Sequence, residues 1–266
     1  MMQRLQTIWQ FRYFWMSLVQ MDLRIRYRRS ILGLGWSLLN PLLMTAIFCV
    51  VFSTWMPNTD WRVTAPYYLT GIAIWDFIKQ AAVQGALTFV RNESYIRQSP
   101  LPLAVYCLRT SLGTTVHFGI AVAVIITTAV ALDPVDPYHL TSLKALWVVL
   151  LGLALLFIFC VAFGAICAFM NIYFHDTQHL AEVGFSIAFF ITPILYKKEM
   201  LEERGVGWLA EINPAVVFFD IIREPLLTGI VPAPLVFAKA FAATLIMLGV
   251  AVSTFSKCER TLIFHL

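Results

Sequence analysis

Six stretches of this chain are apolar over lengths that can cross a hydrocarbon layer, and that pattern constrains the fold more than any other feature. A spanning helix needs about 20 largely apolar residues at ~1.5 Å of rise each. The segments 33–56, 66–90, 103–131, 143–173, 177–196 and 234–256 meet that requirement. In hydrocarbon every backbone N–H and C=O must be paired within its own segment, so each is expected as a helix. The predicted fold is an all-α integral membrane protein, a single domain over 1–266 with six transmembrane helices. Charge is scarce enough to agree: 13% of the residues are charged, against about 25% in soluble domains. Pro41 is expected to bend the first span or mark its start.

Lysine and arginine placement sets the expected orientation. Arg4, Arg12, Arg24, Arg26, Arg28, Arg29, Arg91, Arg97, Arg109, Lys257 and Arg260 put eleven cations on one side. Arg62, Lys144, Lys197, Lys198, Arg204 and Arg223 put six on the other. The richer side is expected to be cytoplasmic, which places both termini there. No cleavable signal peptide is read in the first 30 residues. Cys49, Cys107, Cys160, Cys167 and Cys258 show no CxxC spacing and read as small apolar side chains. A net charge of +4 is too small to suggest nucleic-acid binding.

Residues 1–30 are not a span. Phe11, Phe14, Leu18, Met21 and Ile25 fall on one helical stripe, with Arg12, Gln20 and Arg24 off it. That is the pattern of a basic amphipathic helix lying in the membrane interface, or of a helix packed on its own protein. The connection 197–233 is too long for a turn, and its apolar part is too short to cross and return as one helix. A broken re-entrant hairpin on the external side is expected there.

The chain has no GxxxxGK[ST] phosphate loop and no GxSxG elbow. His175 and His179 share a helix face, but no third ligand or Glu base accompanies them, so no metal site is assigned and Asp176 is read as a helix cap. Asp76 and Lys79 stand mid-way along the second span at i, i+3. They are read as an internal ion pair or as residues lining a path, beside Trp75. Glu182 and Lys239 raise the same question. Aromatic residues at span ends, among them Trp36, Trp55, Trp61, Tyr67, Tyr68 and Tyr196, serve as interface anchors or as faces for stacking on sugar rings.

The block Asp22-Leu23-Arg24-Ile25-Arg26-Tyr27-Arg28-Arg29-Ser30-Ile31-Leu32-Gly33-Leu34-Gly35-Trp36, followed by Asn40-Pro41-Leu42-Leu43, resembles the approach to the first span in ABC-2 type polysaccharide exporters. The resemblance continues through Tyr68-Leu69-Thr70-Gly71, Trp75 and Pro100-Leu101-Pro102-Leu103. It resumes at Tyr173-Phe174-His175-Asp176, Thr192-Pro193-Ile194-Leu195-Tyr196, Asn213-Pro214 and Arg223. It covers nearly the whole chain in order. Two departures stand out: His175 where the family often has Arg, and Asp76 where an aromatic or apolar residue is common.

The resemblance implies a homodimer of six-span subunits in the bacterial inner membrane, docked on two copies of a separate ATPase subunit. ATP and Mg would bind that partner, and this chain would carry no cofactor. Segment 91–101, with Arg91, Asn92, Glu93, Tyr95 and Arg97, looks like the coupling helix that seats on the ATPase. Segment 200–230, with Trp208, Asn213, Pro214 and Arg223, looks like the external gate. The expected substrate is a lipid-linked polysaccharide, O-antigen-like or teichoic-acid-like. Arg24, Arg26, Arg28 and Arg29 would meet its phosphates, or would serve only topology and anionic membrane lipids. Other readings are an ABC-2 exporter of drugs or small lipids, and a membrane-embedded transferase using His175, Asp176 and His179.

Overall fold

The computed structural model describes residues 11–27, 33–55, 60–98, 101–132, 143–258 and 262, and every extended element among them is helical. Helix α1 (Arg12–Tyr27) precedes a 3-10 turn at Gly33–Gly35 and α2 (Trp36–Trp55). Helix α3 (Trp61–Ala86) is followed by the short α4 (Thr88–Arg91) and α5 (Glu93–Gln98). The long α6 (Ala104–Leu132) and α7 (Leu143–Tyr173) lead to α8 (Thr177–Ile191). Then come α9 (Glu199–Glu203), α10 (Trp208–Ile212), α11 (Pro214–Thr228) and α12 (Pro234–Cys258).

Among the described residues, four helices are long and apolar enough to cross a membrane by length and composition: Trp36–Thr54, Ala104–Leu132, Ala145–Tyr173 and Pro234–Cys258. Their outer faces carry large bare apolar side chains, such as Trp147, Leu245 and Ile246 at 64–70% exposure. A surface of that kind is stable against lipid and not against water. The other two expected spans are built differently. Helix α3 has 26 residues and at ~1.5 Å each is roughly 39 Å long. Its apolar character is diluted by Asp76, Lys79, Gln80 and Gln84. Helix α8 has 15 residues, roughly 22 Å, and stops at Ile191 instead of running on to 196. Thr192 turns extended there (ψ 137°), as the residue before a proline must, and Pro193 cannot continue the ladder.

Helix α3 is the centre of the bundle. It packs against α2, α6, α7, α8 and α11, and most of its residues are buried. Asp60 caps it, its carboxylate accepting from the Arg62 N–H at 2.9 Å. At the α3–α7 crossing the two backbones nearly touch. A Cβ added to Gly85 would lie 2.6 Å from the Gly164 Cα, and one on Gly164 would lie 2.8 Å from the Ala81 carbonyl oxygen. Such small-residue contacts are how helices associate without a hydrophobic driving force between them.

Helix α1 rests on α6. Leu18 and Val19 are buried while Phe11, Tyr13 and Met16 face outward, so only part of the predicted stripe points at the protein. Pro41 sits inside α2, in its second turn. Asp176 occupies the N-cap of α8 as expected, but its side chain caps nothing; the Thr177 hydroxyl donates instead to the Phe174 carbonyl.

Candidate functional site

The chemistry-bearing residues gather at the two ends of α3. Near its start stands Arg223, buried on α11. Its guanidinium carbon lies 3.9 Å from the centroid of the Tyr67 ring and 5.1 Å from that of Phe219, within cation–π range. One of its N–H groups donates to the Ile194 carbonyl at 3.0 Å, and its Nε has no hydrogen-bond partner. Tyr67 in turn donates to the Tyr196 carbonyl at 3.1 Å. Ile194 and Tyr196 belong to the irregular stretch that Pro193 forces after α8, so the helix break presents the carbonyls that α3 and α11 use.

Asn213 ties the same stretch to α11 from the other side. Its side-chain oxygen accepts from the Ala215 N–H at 2.9 Å, capping α11, with Pro214 at the first helical position. Its amide N–H donates to the Thr192 hydroxyl at 2.8 Å. Gly229, in the left-handed conformation at φ 68°, ends the helix. Lys198 reaches Asp220 at 3.1 Å. Partial burial pulls the Lys198 ammonium down from its ordinary pKa, but the charge and hydrogen bond of Asp220, with Glu199 and Glu224, outweigh that and leave the net shift upward. Trp208 is exposed on α10.

Gly71 makes this packing feasible. A Cβ there would run into the Arg223 guanidinium and lie 2.9 Å from the Ile194 carbonyl oxygen. Gly71→Ala is therefore expected to cost about 1–3 kcal/mol of stability. In Gly71→Ala/Arg223→Ala the share of that penalty due to the guanidinium should disappear while the contact with the Ile194 carbonyl stays, giving non-additive thermal midpoints in detergent micelles. Additive midpoints would mean that the two do not meet.

At the far end of α3 a second network joins three elements. Arg109, buried on α6, donates to both carboxylate oxygens of Asp22 on α1, at 2.7 and 2.5 Å. It donates also to the Asn92 side-chain oxygen at 2.6 Å. Asn92 bonds the Thr88 carbonyl at 2.7 Å, and the Tyr95 ring lies 5.7 Å from the Arg109 guanidinium carbon. A planar guanidinium serving three acceptors in this way fixes orientation as well as distance. Of the neighbouring cations, Arg91 donates to the Gln84 side chain at 2.6 Å and Arg97 pairs with Glu93 at 2.8 Å on the exposed side of α5. Arg24 is exposed on α1. Arg28 and Arg29, and the side chain of Arg26, lie outside the described residues, as do residues 1–10 and 99–100.

From the sequence alone, Asp22 reads only as the start of a motif and Arg109 only as a topology charge. A signal was present: Asp22 is the sole acidic residue in the first 59, and Arg109 is an arginine inside an apolar helix. Each needs a partner.

Trp75 and Asp76 part company. Trp75 is buried between α3 and α8, its ring centroid 5.3 Å from Phe185 and 6.4 Å from Phe189. Asp76 points instead into a cavity among α2, α3 and α6. It does not come within the 4.0 Å of Lys79 that an ion pair requires. His175 and His179 are both exposed, and His179 lies 3.9 Å from Glu182. Among the described residues, no group of three metal-binding side chains converges.

Comparison with known proteins bears on both clusters. A family model described as ABC-2 type transporter matches residues 13–227, which takes in the Asp22 and Arg223 networks alike. An O-antigen export system permease protein RfbA of Klebsiella pneumoniae is 27% identical over 243 residues, 90% of this chain and 89% of that protein. A second protein of the same name and organism is 28% identical over 216 residues, 79% and 78% of the two chains. The RfbA of Myxococcus xanthus is 25% identical over 222 residues, 81% of each.

Proposed function

The chain belongs to the ABC-2 type transporter family, and from that premise we propose that it is the membrane-spanning permease of an exporter for a lipid-linked polysaccharide. The observation that carries the reading is similarity along 78–90% of both chains to proteins named as O-antigen export permeases, rather than one shared motif. In this reading the chain crosses the bacterial inner membrane six times, with both termini in the cytoplasm. α3 and α8, extended by 192–196, complete the four long apolar spans. Two copies pair, and each seats on an ATPase subunit that binds ATP and Mg.

The two clusters have natural roles in such a machine. The exposed side of α5, with Glu93, Tyr95 and Arg97, is where the ATPase docks. Behind it, Asn92 and Arg109 pass a displacement to α1 through Asp22. At the other end, α9–α11 form the external gate, and Arg223 clamps α11 to α3 and to 192–196. Arg24, Arg26, Arg28 and Arg29 lie on the cytoplasmic side, where a carrier's phosphates would approach. The alternative exporter of small lipids or drugs would share this frame and differ only in cargo.

Deleting the chain in its host is the test. Loss of one surface polysaccharide, with the same polymer accumulating inside and returning on complementation, is the expected result. Unchanged surface glycans would reject the assignment.

A further inference from the structure

Between the two clusters a cavity of about 400 Å³ opens among α2, α3 and α6. Asp76, Gln80 and Gln84 recur every four residues along α3 and form one polar stripe into it, faced by Asn40 on α2 and rimmed by Trp36. Phe77 and Phe118, stacked at 4.4 Å with 7° between planes, make its wall. Gln84 is committed to Arg91. Asp76, Gln80 and Asn40 hydrogen-bond nothing among the described residues.

Asp76 and Gln80 are half-buried and Asn40 is exposed, so all three present unused hydrogen-bonding groups to whatever enters the cavity. Among the described residues no lysine or arginine lines the cavity, and the His117 that does is hydrogen-bonded to Ser37, which disfavours a phosphate. A carboxylate that only accepts, two amides that donate and accept, and the half-bare indole face of Trp36 (52% exposed) suit a neutral ring with several hydroxyls.

We propose that this cavity is a binding site for a single sugar ring, held by Asp76, Gln80 and Asn40 and stacked on Trp36. The proposal rests on the glycan-export reading and deepens it: one sugar unit of the cargo lodges within one subunit, near the basic end of the bundle. Because Gln84 lines the cavity and holds Arg91, occupation is communicated directly to the segment that docks the ATPase.

The test uses the full chain with its ATPase partner in the host, fed tritiated glucose as the probe. Ser37→p-benzoylphenylalanine places a photo-crosslinker in the cavity lining at a residue that does not hold the ring, and the same substitution at lipid-facing Leu245 is the control. Illumination is expected to give a tritiated, periodate-sensitive adduct at 37 and not at 245. Adding Asp76→Asn should lower the adduct about tenfold, the loss of one good hydrogen bond to a charged acceptor, at unchanged levels of assembled complex. If surface glycan depends on the chain but no adduct forms at 37, or the adduct is insensitive to Asp76→Asn, the site is refuted while the export reading stands. A periodate-resistant lipid or amine adduct refutes it equally. If surface glycan does not depend on the chain, the export reading itself has failed.

Discussion

Replacing Gly164 with valine is expected to leave no folded permease. A Cβ there would lie 2.8 Å from the Ala81 carbonyl oxygen, and valine adds two methyl groups beyond it. That obstacle is backbone, so no rotamer change relieves it. Overpacking usually costs about 1–3 kcal/mol where side chains can give; here the α3–α7 crossing must open, and the cost should exceed that range. Gly85→Val should behave alike. Gly113 and Gly249 are the controls, because a Cβ on either meets nothing within 4 Å. Alanine there should be neutral or stabilising by up to ~1 kcal/mol through helix propensity. Size-exclusion profiles of detergent-solubilised variants read the difference: aggregate or no signal for position 164 and 85, wild-type peaks for 113 and 249. A monodisperse Gly164→Val would contradict the crossing.

Arg109→Leu is the second large effect. It leaves the Asp22 carboxylate and the Asn92 amide oxygen without their donor and frees α1 and α5 from each other. Breaking a buried pair costs about 3–5 kcal/mol. The Asp22 side chain is 44% exposed, so solvent screens part of that and about 2–3 kcal/mol is the reasonable scale. The consequence for transport should be larger than for folding. ATP hydrolysis by the docked partner should persist while glycan export falls at least tenfold. Asp22→Arg/Arg109→Asp restores an ion pair in reverse, and Asn92 can turn its amide to match, so export should recover in part. Export that survives Arg109→Leu, or a swap no better than either single variant, would remove this network from the coupling path.

The long apolar helices were legible in the sequence because burial in lipid demands uninterrupted apolar length. α3 was legible too, although its polar stripe lowers its hydropathy; the spacing of Asp76, Gln80 and Gln84 was there to read. The end of α8 was misplaced by five residues, since apolarity continues past Ile191 while Pro193 stops the helix. Residues 192–196, 213–214 and 223 could be quoted as separate motifs, but that they meet on Tyr67 and Gly71 is a tertiary fact. Asp22 and Arg109 are 87 residues apart, and no local periodicity links them. The separation of Trp75 from Asp76 follows from which neighbours surround α3, not from α3 itself.

The most direct measurement is reconstitution. The chain, co-purified with its ATPase subunit in proteoliposomes loaded with the host's radiolabelled lipid-linked glycan, should move that glycan across the bilayer only when ATP and Mg are supplied, and neither subunit should do so alone. ATP-independent movement, or hydrolysis that never moves the glycan in the intact complex, would contradict the account.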